Sequence, residues 1–459
     1  MKMLKRNYTR REFVKQNSLT GLGAILGMSF TPSVFAHNTR DASTLAILGG
    51  KPVRDRAKKW PGWPVWNPDT DEEQVIKVLR SGIWSRRDVV TEFETKWAEI
   101  NGAKRCLTTV NGTNAMICAL RNLDVGGGDE VIVPPYTFMA TIQAVLQTGA
   151  MPVFVDVDPE NGLIDVNKIE EKITPRTKAI LPVHILGFPA DMVRLMEIAK
   201  KHNLVVVEDA CNAWLAEINH KKMGTFGDAG CFSFQNSKHC PMGEGGAILS
   251  DDDEFMDKCF SYHNWGTVYG SVTGILGQAV REGTKMRLTE YQAAIGLAQL
   301  KRLESTTRTR SENAEYVKSK IKNIPGFIPF KIYDNVTRTV YHAFPFRYIK
   351  EEFKGLPRAD FMKALSAEGI SCGVGWGAWL HKGEYLNQAF QSKNFQKMYP
   401  KRMLDFNRYL KQNECPKIEW LVDEEAVWFG HTQLLGTRSD MNDIATAIEK
   451  VYLNAEKLI

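Results

Sequence analysis

Three short stretches of this chain combine residue types that can do chemistry. The first is Ser233-Phe234-Gln235-Asn236-Ser237-Lys238, followed closely by Gly243-Glu244-Gly245-Gly246. A lysine held in a glycine-bounded loop and partly withdrawn from water has a lowered pKa and can act as an imine-forming amine. Read locally, the same lysine is a solvated charge. The second stretch is Val205-Val206-Val207-Glu208-Asp209-Ala210, an apolar run ending in two carboxylates. An acid at the carboxyl edge of a parallel sheet sits where such folds bind ligands, or else it caps the next helix. The third is Asn111-Gly112-Thr113-Asn114 before a helical run. Glycine permits close approach, and a helix N-terminus offers N–H groups to a phosphate, although a plain turn reads the same way.

These groups need a scaffold that brings distant segments to one edge, and the patterning supplies it. Val131–Val133, Pro152–Val155, Ala179–Val183, Leu204–Val207 and Gly230–Phe234 read as buried strands, with helical windows near 114–122, 137–148 and 190–202 between them. Alternating units of this kind predict an α/β fold with a mostly parallel sheet flanked by helices. A long helical stretch from Arg287 to about Ile321 follows. A strand at Val340–Arg347, a helix at Ala359–Glu368, a strand near Ala426–Phe429 and a closing helix from Asp440 then suggest a smaller C-terminal α+β domain. An amine, an acid and an anion cradle at one sheet edge are together what pyridoxal phosphate requires: an imine partner, a partner for its ring nitrogen and a phosphate site.

With 459 residues, 43% hydrophobic and 24% charged, the composition excludes disordered, collagen-like and coiled-coil chains. The net charge of +6 points toward nucleic acid only until it is located. Residues 1–36 hold six basic side chains against Glu12 alone, leaving 53 basic and 52 acidic residues in the body. Nucleic-acid binding is therefore not expected. The basic stretch precedes an apolar run, Leu19–Phe30, and a small-residue ending at Ala36, which is the order of a cleavable signal peptide. Twelve helical residues would span about 18 Å, short of the roughly 30 Å hydrocarbon core, so a lasting anchor is not expected. Thr9-Arg10-Arg11-Glu12-Phe13-Val14-Lys15 resembles the twin-arginine export motif, which implies passage through the twin-arginine translocase to the periplasm in folded form. The eight cysteines show no C-x-x-C pair, and folding before export favours reduced, buried thiols.

From about Leu45 onward the chain resembles the DegT/DnrJ/StrS family of pyridoxal phosphate-dependent sugar and cyclitol aminotransferases, with fold type I. The resemblance is carried by Gly112-Thr113-Asn114-Ala115, the run Gly128–Phe138, Pro152–Asp158, Glu208-Asp209-Ala210, Gly224–Asp228 and Ser233–Gly246. After the signal peptide at 1–36, it implies an N-terminal arm at 37–66, a large cofactor-binding domain at 67–305 and a small domain at 306–459. It further implies that Lys238 is the imine-forming lysine and proton carrier, and that Asp209 keeps the ring nitrogen protonated. Gly112, Thr113 and Ser233 would hold the phosphate, and Phe138 would stack on the ring unless it is a core aromatic. Asn212 stands where the family usually has Gln or His near the ring hydroxyl. Lys285, where relatives often carry Asn, either reaches the phosphate site of a neighbouring subunit or is solvated. The family pattern implies a homodimer with shared sites, with Arg287 and His263-Asn264 near the interface.

The implied reaction moves an amino group from an amino acid donor to a keto-sugar or keto-cyclitol. Ile47–Val53 followed by Trp60-Pro61-Gly62-Trp63-Pro64-Val65-Trp66 is similar to the arm of the cyclitol-aminating branch. Its tryptophans serve either arm packing or the apolar face of a ring polyol. Tyr341-His342, Trp376 and His184 are further candidates that singly read as packing residues. The nearest rival is a deoxysugar dehydratase on the same fold, which carries His in place of the lysine; here Lys238 is present, with His239 beside it. A rival from another class is an exported, catalytically idle ligand-binding protein.

Overall fold

The computed structural model describes residues 43–375 and 379–459. The expected signal peptide and Trp376 lie outside the described residues. Seven strands form the main sheet: Arg105–Thr109 (β1), Glu130–Val133 (β2), Met151–Phe154 (β3), Thr177–Ile180 (β4), Val205–Asp209 (β5), Ala229–Ser233 (β6) and Gly246–Ser250 (β7). Their spatial order is β1-β7-β6-β5-β4-β2-β3. All pairings from β6 across to β3 are parallel, and β7 runs antiparallel between β6 and β1. Every residue of β2 and β6 is buried, as expected for strands covered by helices on both faces.

Five of these strands coincide with the apolar runs read from the sequence. β1 and β7 are additions. β1 opens on Arg105 and closes on two threonines, so it lacks a long β-branched run, and β7 emerges directly from the glycine loop. Their pairing matters for the site, because the register sets Thr109 opposite Gly246. The end of β1 and the exit of the Lys238 loop are thereby brought together.

Helices Gly112–Asn122 (α1), Met139–Thr148 (α2) and Met192–His202 (α3) follow β1, β2 and β4. The helix Glu290–Ile321 (α4) has 32 residues, about 48 Å of length, and carries the chain from the main sheet to a second one. That sheet is antiparallel, with Phe327–Pro329 (β8), Ala343–Tyr348 (β9) and Ala426–Gly430 (β10) in the order β8-β9-β10. Ala343 pairs with Gly430, so His342 and His431, each one residue beyond that pair, lie side by side. A helix Arg438–Leu453 (α5) follows. The arm is pinned by buried charge. Arg54 is paired with Asp440 and Asp443, and Glu368 accepts the Ala46 and Val53 N–H groups while pairing with Lys450. These contacts fix the approach of Trp63 to the main sheet.

Candidate active site

The loop between β6 and β7 is closed by its own main chain. The Phe234 N–H donates to the Gly245 carbonyl, Asn236 to Gly243, and Lys238 to Gln235. Lys238 is half-buried, and burial of its ammonium pushes its pKa below the ordinary lysine value, against the raising influence of Cys211 and Asp209. Its Nζ stands 5.8 Å from the Trp214 ring.

Glu208 and Asp209, adjacent in β5, point to opposite faces, and this divides their work. Glu208 is fully buried. It accepts from the Gly224, Phe226 and Gly227 N–H groups and pairs with His184 at 3.0 Å. His184 Nδ1 accepts the Ala190 N–H, so the proton lies on Nε2, toward Glu208. His184 is thus a structural tie, and Glu208 neither caps a helix nor faces the lysine. Asp209, 5% exposed, accepts the Cys211 N–H at Oδ1 and the Thr141 hydroxyl at Oδ2, and it has no ion pair among the described residues. A buried carboxylate in that condition has room and need for a cationic partner.

The third component is a tight concavity at the N-terminus of α1. A Cβ added to Gly112 would lie 2.9 Å from Cys211 Sγ and from Ser233 Cβ, and one added to Gly246 would lie 2.4 Å from the Asn111 carbonyl. Only glycine admits this convergence. Asn111 caps the helix by accepting the Asn114 N–H, and the Gly112 and Thr113 amides, in the first turn, have no intrahelical acceptor. Those amides and the Ser233 hydroxyl suit an anion. The three components therefore fit pyridoxal phosphate: an amine of lowered pKa, an unpaired buried acid, and an anion cradle.

Phe138 is the N-cap residue of α2 and is 51% exposed, so it is not a core aromatic. Its neighbour Thr137 bonds Thr141, which bonds Asp209, tying Phe138 to the acid through two hydroxyls. Asn212 is buried, and its Oδ1 accepts the Leu186 N–H at 3.3 Å. Lys285 is exposed, paired through its main chain with Asn264 and 6.0 Å from the Trp265 ring, and no contact joins it to Lys238 among the described residues. Arg287 is half-buried, while His263 is fully buried against the Phe260 carbonyl. Tyr341 is buried and donates to Glu315, and His342 packs on Trp214 and His239. All eight cysteines are free, six of them buried.

Several neighbours of the site escaped the sequence reading: Thr141, Cys211, Arg310 and His431. Thr141 lies one helical turn beyond Thr137, and Cys211 two residues beyond Asp209, and neither belongs to a recognisable pattern. Behind Lys238 sits a cluster of His239, His342, His431, Trp63 and Arg310, assembled from five separate segments. The ring of His239 is 5.0 Å from Trp214 and 5.1 Å from His431. Burial, followed by the charge of Arg310, pushes the His239 and His431 pKa values down, that of His431 to about 3.

Known proteins are similar to this chain. Residues 67–404 match the model of the DegT/DnrJ/EryC1/StrS aminotransferase family. The L-glutamine:2-deoxy-scyllo-inosose aminotransferase of Streptomyces kanamyceticus is 32% identical over 426 residues, covering 89% of this chain and 97% of that protein. The crystal structure of 3-amino-5-hydroxybenzoic acid synthase superposes with a TM-score of 0.72 at 29% identity, covering 86% of this chain and 98% of the other. An aminotransferase from Psychrobacter cryohalolentis gives 0.73 at 29% identity, with 87% and 100% covered. The chain belongs to the DegT/DnrJ/EryC1/StrS family and is an aminotransferase that uses pyridoxal phosphate.

Proposed function

We propose that this member of the family transfers an amino group from an α-amino acid to a keto-cyclitol or keto-sugar, and that Lys238 and Asp209 are its catalytic residues. The observation that carries the reading is the meeting of Lys238, Asp209 and the Gly112–Ser233 cradle at one sheet edge. The relative from Streptomyces kanamyceticus, named for L-glutamine and 2-deoxy-scyllo-inosose, supports a cyclitol acceptor and makes L-glutamine the first donor to try.

Pyridoxal phosphate, when bound, supplies an electron sink that stabilises negative charge at the substrate carbon bearing nitrogen. Asp209 would partner the ring nitrogen, and Thr141 and the Cys211 amide hold its carboxylate in orientation. The Gly112 and Thr113 amides and the Ser233 hydroxyl take the phosphate, and Phe138 covers a ring face. Lys238, its pKa lowered by burial, is the amine that would join the cofactor and the base that would move a proton at the substrate carbon. Asn212, held by the Leu186 N–H, would face the ring hydroxyl.

The exposed side chains of Phe138, Trp84, Trp265, Ile275 and Leu276 support a homodimer that covers them and brings Lys285 of one subunit toward the phosphate of the other. Residues 1–36 direct the folded enzyme through the twin-arginine translocase to the periplasm. The test of the reaction is a half-reaction assay. Adding L-glutamine to purified holoenzyme should shift the cofactor absorbance, and 2-deoxy-scyllo-inosose should then reverse it with formation of an amino-cyclitol. An unchanged spectrum with every amino acid tried, or full turnover by Lys238→Ala, would sink the reading.

A further inference from the structure

Two main-chain carbonyls flank the Lys238 side chain, and each faces a holder from a distant part of the sequence. Trp63, on the arm, donates its indole N–H to the Lys238 carbonyl at 3.2 Å. His431, just past β10, packs 5.1 Å from the ring of His239, next in the chain to Lys238, and the Ser237 carbonyl beside it biases its pKa upward. One residue touches both holders. The Arg310 guanidinium lies 4.8 Å from the centre of the Trp63 ring and 3.3 Å from His431 Nδ1, and the two rings meet edge-on at 5.1 Å.

Arg310 is wholly buried in α4, and its Nε and Nη1 have no hydrogen-bond partner among the described residues. It has no carboxylate partner there either. Burying an unpaired guanidinium is costly, and burial pushes its pKa down to about 9. A methionine would fill similar space without that cost. What the guanidinium supplies is an obligatory donor. Facing it, neutral His431 must accept at Nδ1 and carry its single hydrogen on Nε2.

We propose that Arg310 is a positioning residue for the catalytic lysine: it fixes the tautomer of His431, seats the Trp63 ring, and through both holds the main chain on either side of Lys238. This rests on the reading of Lys238 as the catalytic amine. Both carbonyls belong to a loop tip whose own hydrogen bonds, Lys238 to Gln235 and Asn236 to Gly243, leave them to outside partners. A small displacement of that tip would move the amine out of line with its proton acceptor.

The test uses holoenzyme variants in the half-reaction assay. Arg310→Met should lower kcat by about 10- to 100-fold with little change in KM for the donor, the signature of misplaced catalytic groups. His431→Phe should do the same. His431→Gln, whose amide offers both an acceptor to Arg310 and a donor to Ser237, should recover most of the loss. The Arg310→Met/His431→Phe double variant should be no slower than the worse single one, because both act along one route. A readout independent of turnover is the pH profile of Lys238 acetylation by acetic anhydride in the apoprotein, which Arg310→Met should shift. Wild-type kcat and an unshifted profile in Arg310→Met would overturn the proposal, as would His431→Gln being as slow as His431→Phe. Should Arg310→Met fail to fold, Trp63→Phe carries the test, since Trp63 is half-buried on the arm; unchanged kcat there would also overturn it. An inactive Lys238→Ala beside an unaffected Arg310→Met sinks this proposal alone, whereas an active Lys238→Ala sinks the reading of the site.

Discussion

Thr141 donates its hydroxyl to Asp209 Oδ2 at 2.7 Å, so the helix after β2 grips the acid at the end of β5. The same hydroxyl meets Thr137 at 2.7 Å, giving Asp209 a buried two-hydroxyl chain. Hydrogen bonds to a charged acceptor contribute about 1.5–3 kcal/mol. Thr141→Val keeps the shape and removes the donor. It is expected to weaken cofactor retention by at least about tenfold, since 1.4 kcal/mol corresponds to a factor of ten. Equilibrium dialysis of pyridoxal phosphate against wild type and variant measures this, and equal retention would remove Thr141 from the site.

Glu208 offers the converse case. Its carboxylate, fully buried, collects three main-chain N–H groups and His184 on the face away from Lys238. Glu208→Ala leaves those donors and the imidazole unsatisfied, and each buried donor left without a partner costs about 1–3 kcal/mol. The expected outcome is a large loss in denaturation midpoint with kcat per folded molecule nearly intact. A kcat loss as large as that of Asp209→Asn at unchanged stability would show that the two acids do not divide the work as described.

The contrast marks what the sequence could convey. Lys238, Asp209, Gly112 and Ser233 were legible because each sits in a short linear pattern in which strand end, glycine and reactive group are neighbours. That Asp209 and not Glu208 faces the lysine came from the family resemblance and not from the residue pattern: strand alternation says only that they part, and the face is set by what packs around β5. Arg310 and His431 left no signal, and Trp63 was read only as one tryptophan of the arm. They meet through contacts spanning 121 residues between Arg310 and His431 and 175 between Trp63 and Lys238, and each alone is an ordinary residue of a helix, a strand end or an arm. β1 was missed for a related reason: its pairing with β7, rather than its own composition, makes it a strand.

Four buried histidines, His239, His263, His342 and His431, set a pH dependence of stability. His431 has its pKa lowered to about 3 and that of His263 is lowered to about 4, both mainly by burial, and His239 and His342 lie well below their ordinary value for the same reason. In the unfolded chain these side chains titrate near 6.5. Between about pH 6.5 and 4 the unfolded state therefore binds more protons, and stability must rise with pH in that window and fall as pH drops. Urea titrations at pH 7, 6 and 5 should show falling stability, before most carboxylates begin to titrate. His431→Gln, which retains both hydrogen-bonding functions, should reduce the slope. A slope unchanged in this variant would mean that His431 is not buried in its neutral form.

Export is testable apart from catalysis. Arg10 and Arg11 precede the apolar run Leu19–Phe30, and the body of the chain is nearly neutral, so the positive charge of the sequence is concentrated where a translocase would read it. The eight thiols are all free, which suits an enzyme that folds in a reducing compartment before it crosses the membrane. Loading with pyridoxal phosphate would then also precede transport, because the cradle at Gly112 and Ser233 exists only in the folded protein. Replacing both arginines, Arg10→Lys with Arg11→Lys, should leave active, cofactor-loaded enzyme in the cytoplasmic fraction and abolish the periplasmic activity of the wild type. Undiminished periplasmic activity in the double variant would remove the twin-arginine route while leaving the assignment of Lys238 and Asp209 untouched.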